Sequence, residues 1–282
     1  MNAKLKNFIV RTLSGAVFVS LVLGTLLFCS TAFVVLFAVL VGMGLCEFHR
    51  TTNRAFQLSV SIIASVVAGV LLFATFYQRA SGVGEYAFFP VYALWILVVL
   101  FAELFRNKEA AFHNMAYFAL GQLYVALPMS LLLQLLYTDG GIWQPVWVLV
   151  MLVAIWVNDS FAYIFGILLG KHRLFERISP KKSWEGFIGG LFMSLLFGVA
   201  CHYYLPVLFP NFVSDLLLWQ WLLLSGLIVV AATLGDLLES LMKRTMGIKD
   251  YGSIMPGHGG VLDRFDSLLS STIVLWAFLS LL

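Results

Sequence analysis

The chain has 282 residues, of which 61% are hydrophobic and only 11% are charged, and its mean hydropathy is +0.97. Soluble domains have an apolar share of roughly 45 to 50%, so this composition excludes an ordinary soluble domain and indicates an integral membrane protein. The net charge of +3 fits the anchoring face of a membrane protein and does not indicate a nucleic-acid binder.

Apolar runs of about 20 residues, the length that crosses the hydrocarbon core of a bilayer, recur along the whole chain. They predict nine transmembrane helices and therefore an all-α, polytopic fold. The runs lie near residues 12–29, 31–46, 58–77, 87–105, 115–137, 146–169, 186–206, 217–238 and 262–282.

The basic residues predict the orientation of these helices, because short cytoplasmic loops carry an excess of Lys and Arg. With the N-terminus inside and the C-terminus outside, every basic residue except Arg79 falls on the inner side. The first run follows Lys4, Lys6 and Arg11 without a small-residue cleavage pattern, so it is expected to stay as a helix.

The two halves of the chain differ in polarity. Residues 1–144 read as scaffold helices, with Glu47 and Glu103 near inner helix ends, where a carboxylate can reach interfacial water and act structurally. Residues 145–282 read as a catalytic transmembrane region with two charged cytoplasmic loops, 170–185 and 239–261.

Asp159 lies deep in the sixth apolar run, about 15 Å from either end at 1.5 Å of rise per residue. An ionised carboxylate there must face protein or a water-filled cavity. Tyr163, Gly166 and Gly170 follow it at spacings that place all four residues on one helix face, and the glycines permit close approach of a second helix. The alternative is an interhelical hydrogen bond from Asp159 with no further role.

The inner loop 170–185 is rich in cations and ends where a helix is expected to begin, near Trp184. Ser179 or Ser183 can cap that helix, whose free backbone N–H groups attract anions. Lys181 and Lys182 add positive charge at the same place, so the pattern predicts a phosphate site. The alternative is attraction to anionic lipid headgroups.

The strongest concentration of charged residues runs from Asp236 to Asp266. Asp236, Glu239, Ser240 and Lys243 have the spacing of one helix stripe. Asp263 and Asp266 likewise share a face at the start of the ninth run. Two helix ends that carry carboxylates form an oxygen-rich site of the kind that Mg²⁺ prefers.

Between these helix ends, the run Pro256-Gly257-His258-Gly259-Gly260 can wrap backbone amides around an anion. The alternative is a helical hairpin with glycine caps and salt bridges, such as one between Asp263 and Lys243. Because carboxylates, cations and glycines converge here beside membrane helices, we expect a functional site.

The segment Ser240–Asp266 resembles the signature of the CDP-diacylglycerol synthases, or phosphatidate cytidylyltransferases. That signature reads Ser-x-apolar-Lys-Arg, four residues, Lys-Asp, a short spacer, and His-Gly-Gly-apolar-x-Asp-Arg-apolar-Asp, and every specified position matches. The blocks 158–163 and 179–186 are also similar to family blocks. The resemblance covers residues from about 150 to the C-terminus.

The resemblance implies an enzyme that transfers CMP from CTP to phosphatidic acid and releases pyrophosphate. It implies that Asp236 and Asp263 hold Mg²⁺, and it allows K⁺ as a second cation. Together, residue patterns and resemblance assign catalytic roles to Asp236, Asp263, Lys243, Arg244 and Asp266. They assign substrate or phosphate binding to Ser179, Lys181, Lys182, Lys249, His258, Gly259, Gly260, Arg264 and Asp159.

The predicted topology puts the active site on the cytoplasmic side, and the compact length without a transit segment favours a bacterial inner (plasma) membrane. The resemblance implies a homodimer. Two other functions are compatible with a charged site on a membrane protein. One is a CTP-dependent lipid kinase of the polyprenol or phytol type, and the other is a cation-coupled transporter, for which the nearly uncharged outer loops offer little support.

Overall fold

The computed structural model describes residues 3–84, 87–106, 109–138, 140–252 and 259–282, with side chains from residue 12 onward. The helices in chain order are α1 (Ala3–Phe28), α2 (Ser30–Phe56), α3 (Ile62–Ser81), α4 (Phe88–Phe105), α5 (Ala111–Gly121), α6 (Leu127–Leu131), α7 (Val146–Leu169), α8 (Trp184–Leu208), α9 (Leu218–Thr245) and α10 (Leu262–Ser280). A π-helical turn (Gln122–Ala126) joins α5 to α6, and a 3-10 turn (Leu132–Leu135) follows α6.

Seven helical segments of the described chain are long and apolar enough to cross a bilayer. They are Ser30–Phe56, Ile62–Ser81, Phe88–Phe105, Ala111–Leu135, Val146–Leu169, Trp184–Leu208 and Leu218–Thr245. The chain is therefore a helical, multi-pass membrane protein, as its composition predicts. A shorter apolar helix covers Thr12–Phe28, and α10 begins with three charged residues within its first five positions.

One β-hairpin departs from the all-α expectation. Strands β1 (Arg173–Phe175) and β2 (Ser179–Ser183) pair antiparallel, with Arg173 opposite Ser183 and Phe175 opposite Ser179. Pro180 is tolerated because a two-stranded hairpin consists of edge strands, where a missing N–H need not break a ladder. The hairpin occupies the cationic loop that precedes α8.

The chain forms two compact units. The first contains residues 1–143 and 245–265, and the second contains residues 144–244 and 266–282. The segment 245–265 thus packs with the N-terminal helices, although it follows α9 in sequence. The sequence predicts scaffold helices before residue 145 and a catalytic region after it. The two compact units do not test which residues take part in catalysis, so this division stays a prediction.

In the first unit, the core lies where α2, α3 and the α5–α6 region pack together. Its fully buried side chains include Phe33, Phe37, Phe48, Met129 and Leu132. Phe33 and Phe37 stack with ring centroids 4.2 Å apart. In contrast, α4 is described in full, and Glu103 is its one buried residue. The apolar surface of α4 is what a helix facing lipid requires.

In the second unit, α7 and α8 pack along most of their lengths through small residues. Gly166 of α7 lies against Gly186 of α8, as the glycine spacing predicts. Trp147 of α7 stacks on Trp221 of α9 with centroids 5.5 Å apart. These contacts hold α7, α8 and α9 together within the second unit.

Gly235 controls the approach of α10 to α9 within this unit. A Cβ atom added there would lie 2.5 Å from Ser270 Oγ and 2.8 Å from the backbone carbonyl oxygen of Asp266. Backbone atoms cannot move aside as a flexible side chain can, so the two helices would have to separate.

We expect Gly235→Ala to destabilise the protein by about 1 to 3 kcal/mol, the usual cost of overpacking. The measurement is the melting temperature of the detergent-purified variant. Gly226→Ala is the matched control in the same helix, because its added methyl group would meet side chains at 3.8 and 4.0 Å. The control should be as stable as the parent or slightly more stable. Equal melting temperatures for the two variants would contradict the packing argument.

Candidate functional site

Three carboxylates of the second unit converge near the C-terminal end of α9. Oxygen atoms of Asp236, Glu239 and Asp266 all lie within 4.8 Å of one another. Glu239 is fully buried, whereas the side chain of Asp236 is 34% exposed. Such a set of carboxylate oxygens, with one side open to solvent, is suited to Mg²⁺, which combines carboxylate ligands with water and substrate phosphates.

The cluster forms because of helix periodicity. Asp236 and Glu239 are three residues apart in α9, so they share a face. The predicted stripe continues through Ser240, whose hydroxyl donates to Asp236 Oδ1 at 3.3 Å, and Lys243, whose Nζ lies 2.6 Å from Glu239 Oε2. Glu239 was not among the predicted site residues, although its place on this stripe is a signal that could have identified it.

Lys182 connects the β-hairpin to the carboxylates. Its Nζ lies 2.7 Å from Asp236 Oδ2, and both side chains are about one-third exposed. A partly exposed ion pair adds little stability, so either partner can be exchanged for another charged group at modest cost. Two segments more than 50 residues apart in sequence are thus brought together within one unit.

A cavity of about 510 Å³ lies beside Lys182, between α7, the hairpin and the start of α8. Its polar lining includes Asp159, Tyr163, Arg173 and Lys181, and its apolar lining includes Ile167 and Phe187. Asp159 therefore faces a cavity, as its depth in α7 predicts. A lining that combines the cations Arg173, Lys181 and Lys182 with apolar side chains fits an anionic amphiphile.

The hairpin is held to α8 by its end contacts. Ser183 is the N-cap of α8, and its Oγ accepts the N–H of Gly186 at 3.2 Å, which confirms one of the two predicted caps. Ser179 instead begins β2. Glu185 accepts the backbone N–H of His172 at 3.2 Å, and its Oε1 lies 2.6 Å from the Nδ1 of the same residue. These contacts hold the two ends of the hairpin at the start of α8.

Asp263, the second predicted metal ligand, is described with the first unit. Its Oδ2 accepts the backbone N–H groups of Tyr251 at 2.9 Å and Gly260 at 2.8 Å, and the side chain is buried. Gly259, the residue before Gly260, has φ of +86°, a conformation that glycine adopts readily. Asp263 thus joins Tyr251 to Gly260, which lie at the two described ends of the segment 251–260, here called the glycine-rich loop.

Glu47 and Glu103 are buried, so the expectation that they reach interfacial water is wrong. Glu103 Oε1 accepts from Arg106 Nη1 at 2.5 Å, and its Oε2 accepts from Asn114 Nδ2 at 3.0 Å. Glu47 accepts the backbone N–H groups of Val261 and Leu262, both at 3.0 Å. Local sequence held no signal for the Glu47 contacts, because the partners are more than 200 residues away.

The remaining predicted site residues are four cations and His258. Arg244, Lys249 and Arg264 are exposed, and Lys243 is largely buried beside Glu239. His258 lies outside the described residues. Their assignments to catalysis or phosphate binding stay predictions.

Comparison with known proteins identifies the family. Residues 9–282 match the model of the cytidylyltransferase family. A phosphatidate cytidylyltransferase of Staphylococcus haemolyticus is 33% identical over 267 residues, which cover 92% of this chain and 94% of that protein. The enzyme of the same name from Staphylococcus saprophyticus is 34% identical over 75% of this chain and 76% of its own length.

A phosphatidate cytidylyltransferase of Mycobacterium leprae is 41% identical over 159 residues, or 56% of this chain. That match spans about half of the mycobacterial protein, 47% of its length. The family match extends over nearly the whole sequence, including the N-terminal helices for which the sequence alone showed no specific motif. The chain belongs to the cytidylyltransferase family.

Proposed function

We propose that this protein transfers CMP from CTP to phosphatidic acid, forming CDP-diacylglycerol and pyrophosphate. The observation that supports this most directly is the juxtaposition of the carboxylates Asp236, Glu239 and Asp266, the cation Lys182 and a cavity suited to an anionic amphiphile. Family membership and the names of its relatives agree with it.

In this reaction, an oxygen of the phosphatidate phosphate attacks the α-phosphorus of CTP. A new P–O bond forms, the bond between the α-phosphorus and the bridging oxygen breaks, and pyrophosphate leaves. A phosphomonoester has a second pKa of about 6, so the attacking phosphate is already dianionic near neutral pH and needs no general base. The main barrier is to bring two anions together, which requires positioning and fixed cations.

We propose Mg²⁺ as the cofactor. The chemistry of the donor set fits, since Asp236, Glu239 and Asp266 offer three oxygens in one small volume. When bound, the ion would neutralise phosphate charge and favour departure of pyrophosphate. Asp236 is also one of the two metal ligands that the family resemblance implies. Asp263 is retained as its proposed partner from the family resemblance, with K⁺ as an allowed second cation.

Lys182 has two roles in this proposal. Without substrate it neutralises Asp236 at 2.7 Å, and with substrate its ammonium group would bind a phosphate oxygen, which would leave Asp236 available to hold the metal. Arg173 and Lys181 of the cavity lining would neutralise the lipid phosphate. The apolar lining from Ile167 and Phe187 would accept the adjoining glycerol and acyl carbons.

The finer topology belongs to the same proposal. We propose nine transmembrane helices, with the N-terminus inside and the C-terminus outside, because this arrangement puts nearly all basic residues on one side. The active site would then face the cytoplasm, where CTP is available. We propose a bacterial inner (plasma) membrane as the location, and a homodimer on the basis of the family resemblance.

The purified protein, with CTP labelled at the α-phosphorus, phosphatidic acid and Mg²⁺, should produce labelled lipid and an equal amount of pyrophosphate. Lipid chromatography and a coupled pyrophosphate assay measure the two products. Formation of CDP with phosphorylation of a lipid alcohol would instead indicate a kinase. Turnover that yields neither labelled lipid nor pyrophosphate would contradict the proposal.

Asp236→Asn and Asp263→Asn should each lower kcat/KM by on the order of 100-fold or more, because each removes negative charge from the proposed metal site with little change in volume. Activity per folded protein is the measurement, with folding followed by melting temperature. Asp215→Asn is the control, since Asp215 is exposed before α9 and should be dispensable. Near-normal activity of either site variant would refute that residue's role.

Lys182→Ala should raise the KM for CTP or phosphatidic acid about tenfold, the order of effect expected when one charge-assisted hydrogen bond is lost. Steady-state kinetics with each substrate varied separately provide the measurement. Lys171→Ala is the matched control, because Lys171 belongs to the same inner loop but lines a separate hollow with His172 and Glu176. Unchanged KM values for both substrates would argue against a phosphate role for Lys182.

A further inference from the structure

Glu47 lies in the membrane helix α2. Its carboxylate accepts hydrogen bonds from the backbone of the signature segment Ser240–Asp266. Its Oε1 accepts the N–H of Val261 and its Oε2 accepts the N–H of Leu262, both at 3.0 Å. The side chain is 5% exposed. All of these residues belong to the first unit.

A buried carboxylate is costly unless it is paired or hydrogen-bonded. Leu262 is the first residue of α10. The two N–H groups that Glu47 binds are therefore at a helix N-terminus, where backbone donors have no partner within the helix. The positive end of the helix dipole also favours a negative charge there. Glu47 therefore determines where α10 begins relative to α2.

The loop backbone packs directly on the same carboxylate. A Cβ atom at Gly260 would lie 2.5 Å from both oxygens of Glu47, and one at Gly252 would lie 2.5 Å from Oε1. The two described ends of the loop thus meet at this side chain, and only residues without a Cβ atom fit. Displacement of the Glu47 carboxylate would move both ends.

Gly260 links Glu47 to Asp263. Its Cα side faces the Glu47 carboxylate, and its N–H donates to Asp263 Oδ2 at 2.8 Å. Tyr251, next to Gly252, donates to the same oxygen at 2.9 Å. The position of the Asp263 carboxylate therefore depends on backbone that Glu47 holds.

We infer that Glu47 is a positioning residue for the cytidylyl transfer, acting through the backbone of Gly260, Val261 and Leu262 on the carboxylate of Asp263. This inference rests on the proposed role of Asp263. It gives α2, a helix of the N-terminal half, a part in the active site that the sequence of α2 does not indicate.

A purely structural role for Glu47 makes a different prediction. Glu103, the comparable buried glutamate of the first unit, bonds to Arg106 and Asn114, which have no assigned role in the reaction. Loss of either carboxylate should lower stability. Only loss of Glu47 should also change the kinetics of the molecules that remain folded.

The test compares Glu47→Gln with Glu103→Gln. The Glu47→Gln change retains one acceptor oxygen but turns an NH₂ group toward a backbone donor, so one hydrogen bond is lost. We expect kcat per folded molecule to fall about tenfold, the order expected for one hydrogen bond to a charged group. The Mg²⁺ concentration for half-maximal activity should rise several-fold, while Glu103→Gln keeps parental values of both.

Gly252→Ala provides a second variant that retains the charge of Glu47 and pushes a methyl group against Oε1. It should lower kcat in the same direction, and it decides the question if Glu47→Gln does not fold. Parental kcat per folded molecule in Glu47→Gln, or in Gly252→Ala where only that variant folds, would overturn the inference.

Asp263→Asn separates this inference from the proposed function. An inactive Asp263→Asn with normal kinetics in the folded Glu47 and Gly252 variants would remove only the role of Glu47. A fully active Asp263→Asn would remove the proposed role of Asp263 and, with it, the route by which Glu47 is inferred to act.

Discussion

The cost of an ionised carboxylate beside a hydrocarbon core is the constraint on which the polar part of this protein depends. Each such group requires a cation, a backbone donor or water. Asp236 is paired with Lys182, Glu239 lies beside Lys243, and Asp263 binds backbone N–H groups. Within the second unit the partners of these carboxylates lie in the candidate site, and within the first unit the bonds of Asp263 join the two described ends of the glycine-rich loop.

The two units satisfy this constraint in different ways. In the second unit, side-chain cations neutralise Asp236 and Glu239, and the partly exposed pair with Lys182 can separate at little cost, as the proposed metal and phosphate binding requires. In the first unit, Glu47 and Asp263 bind main-chain N–H groups, whose positions are set by the fold. One arrangement favours exchange of charged ligands during a reaction cycle, and the other favours fixed geometry.

Several local features could be predicted because they depend on neighbours in sequence. Helix periodicity placed Asp236, Glu239, Ser240 and Lys243 on one stripe, and Ser183 caps α8 as its position before Trp184 indicated. The hairpin at 173–183 was missed because its strands are short and cationic, without the alternating apolar pattern of a half-buried strand. Glu239 was underestimated because spacing alone does not reveal that Asp266 lies nearby.

The sequence by itself determined the class of protein, the family and the segment that carries the chemistry, since hydropathy, charge bias and the spacing from Ser240 to Asp266 are properties of contiguous residues. Only the tertiary structure decided which side chains meet. The contact of Lys182 with Asp236 and the bonds of Glu47 to Val261 and Leu262 join distant segments. Such contacts depend on how helices pack, and helix packing is a collective result of many side chains that no local pattern encodes.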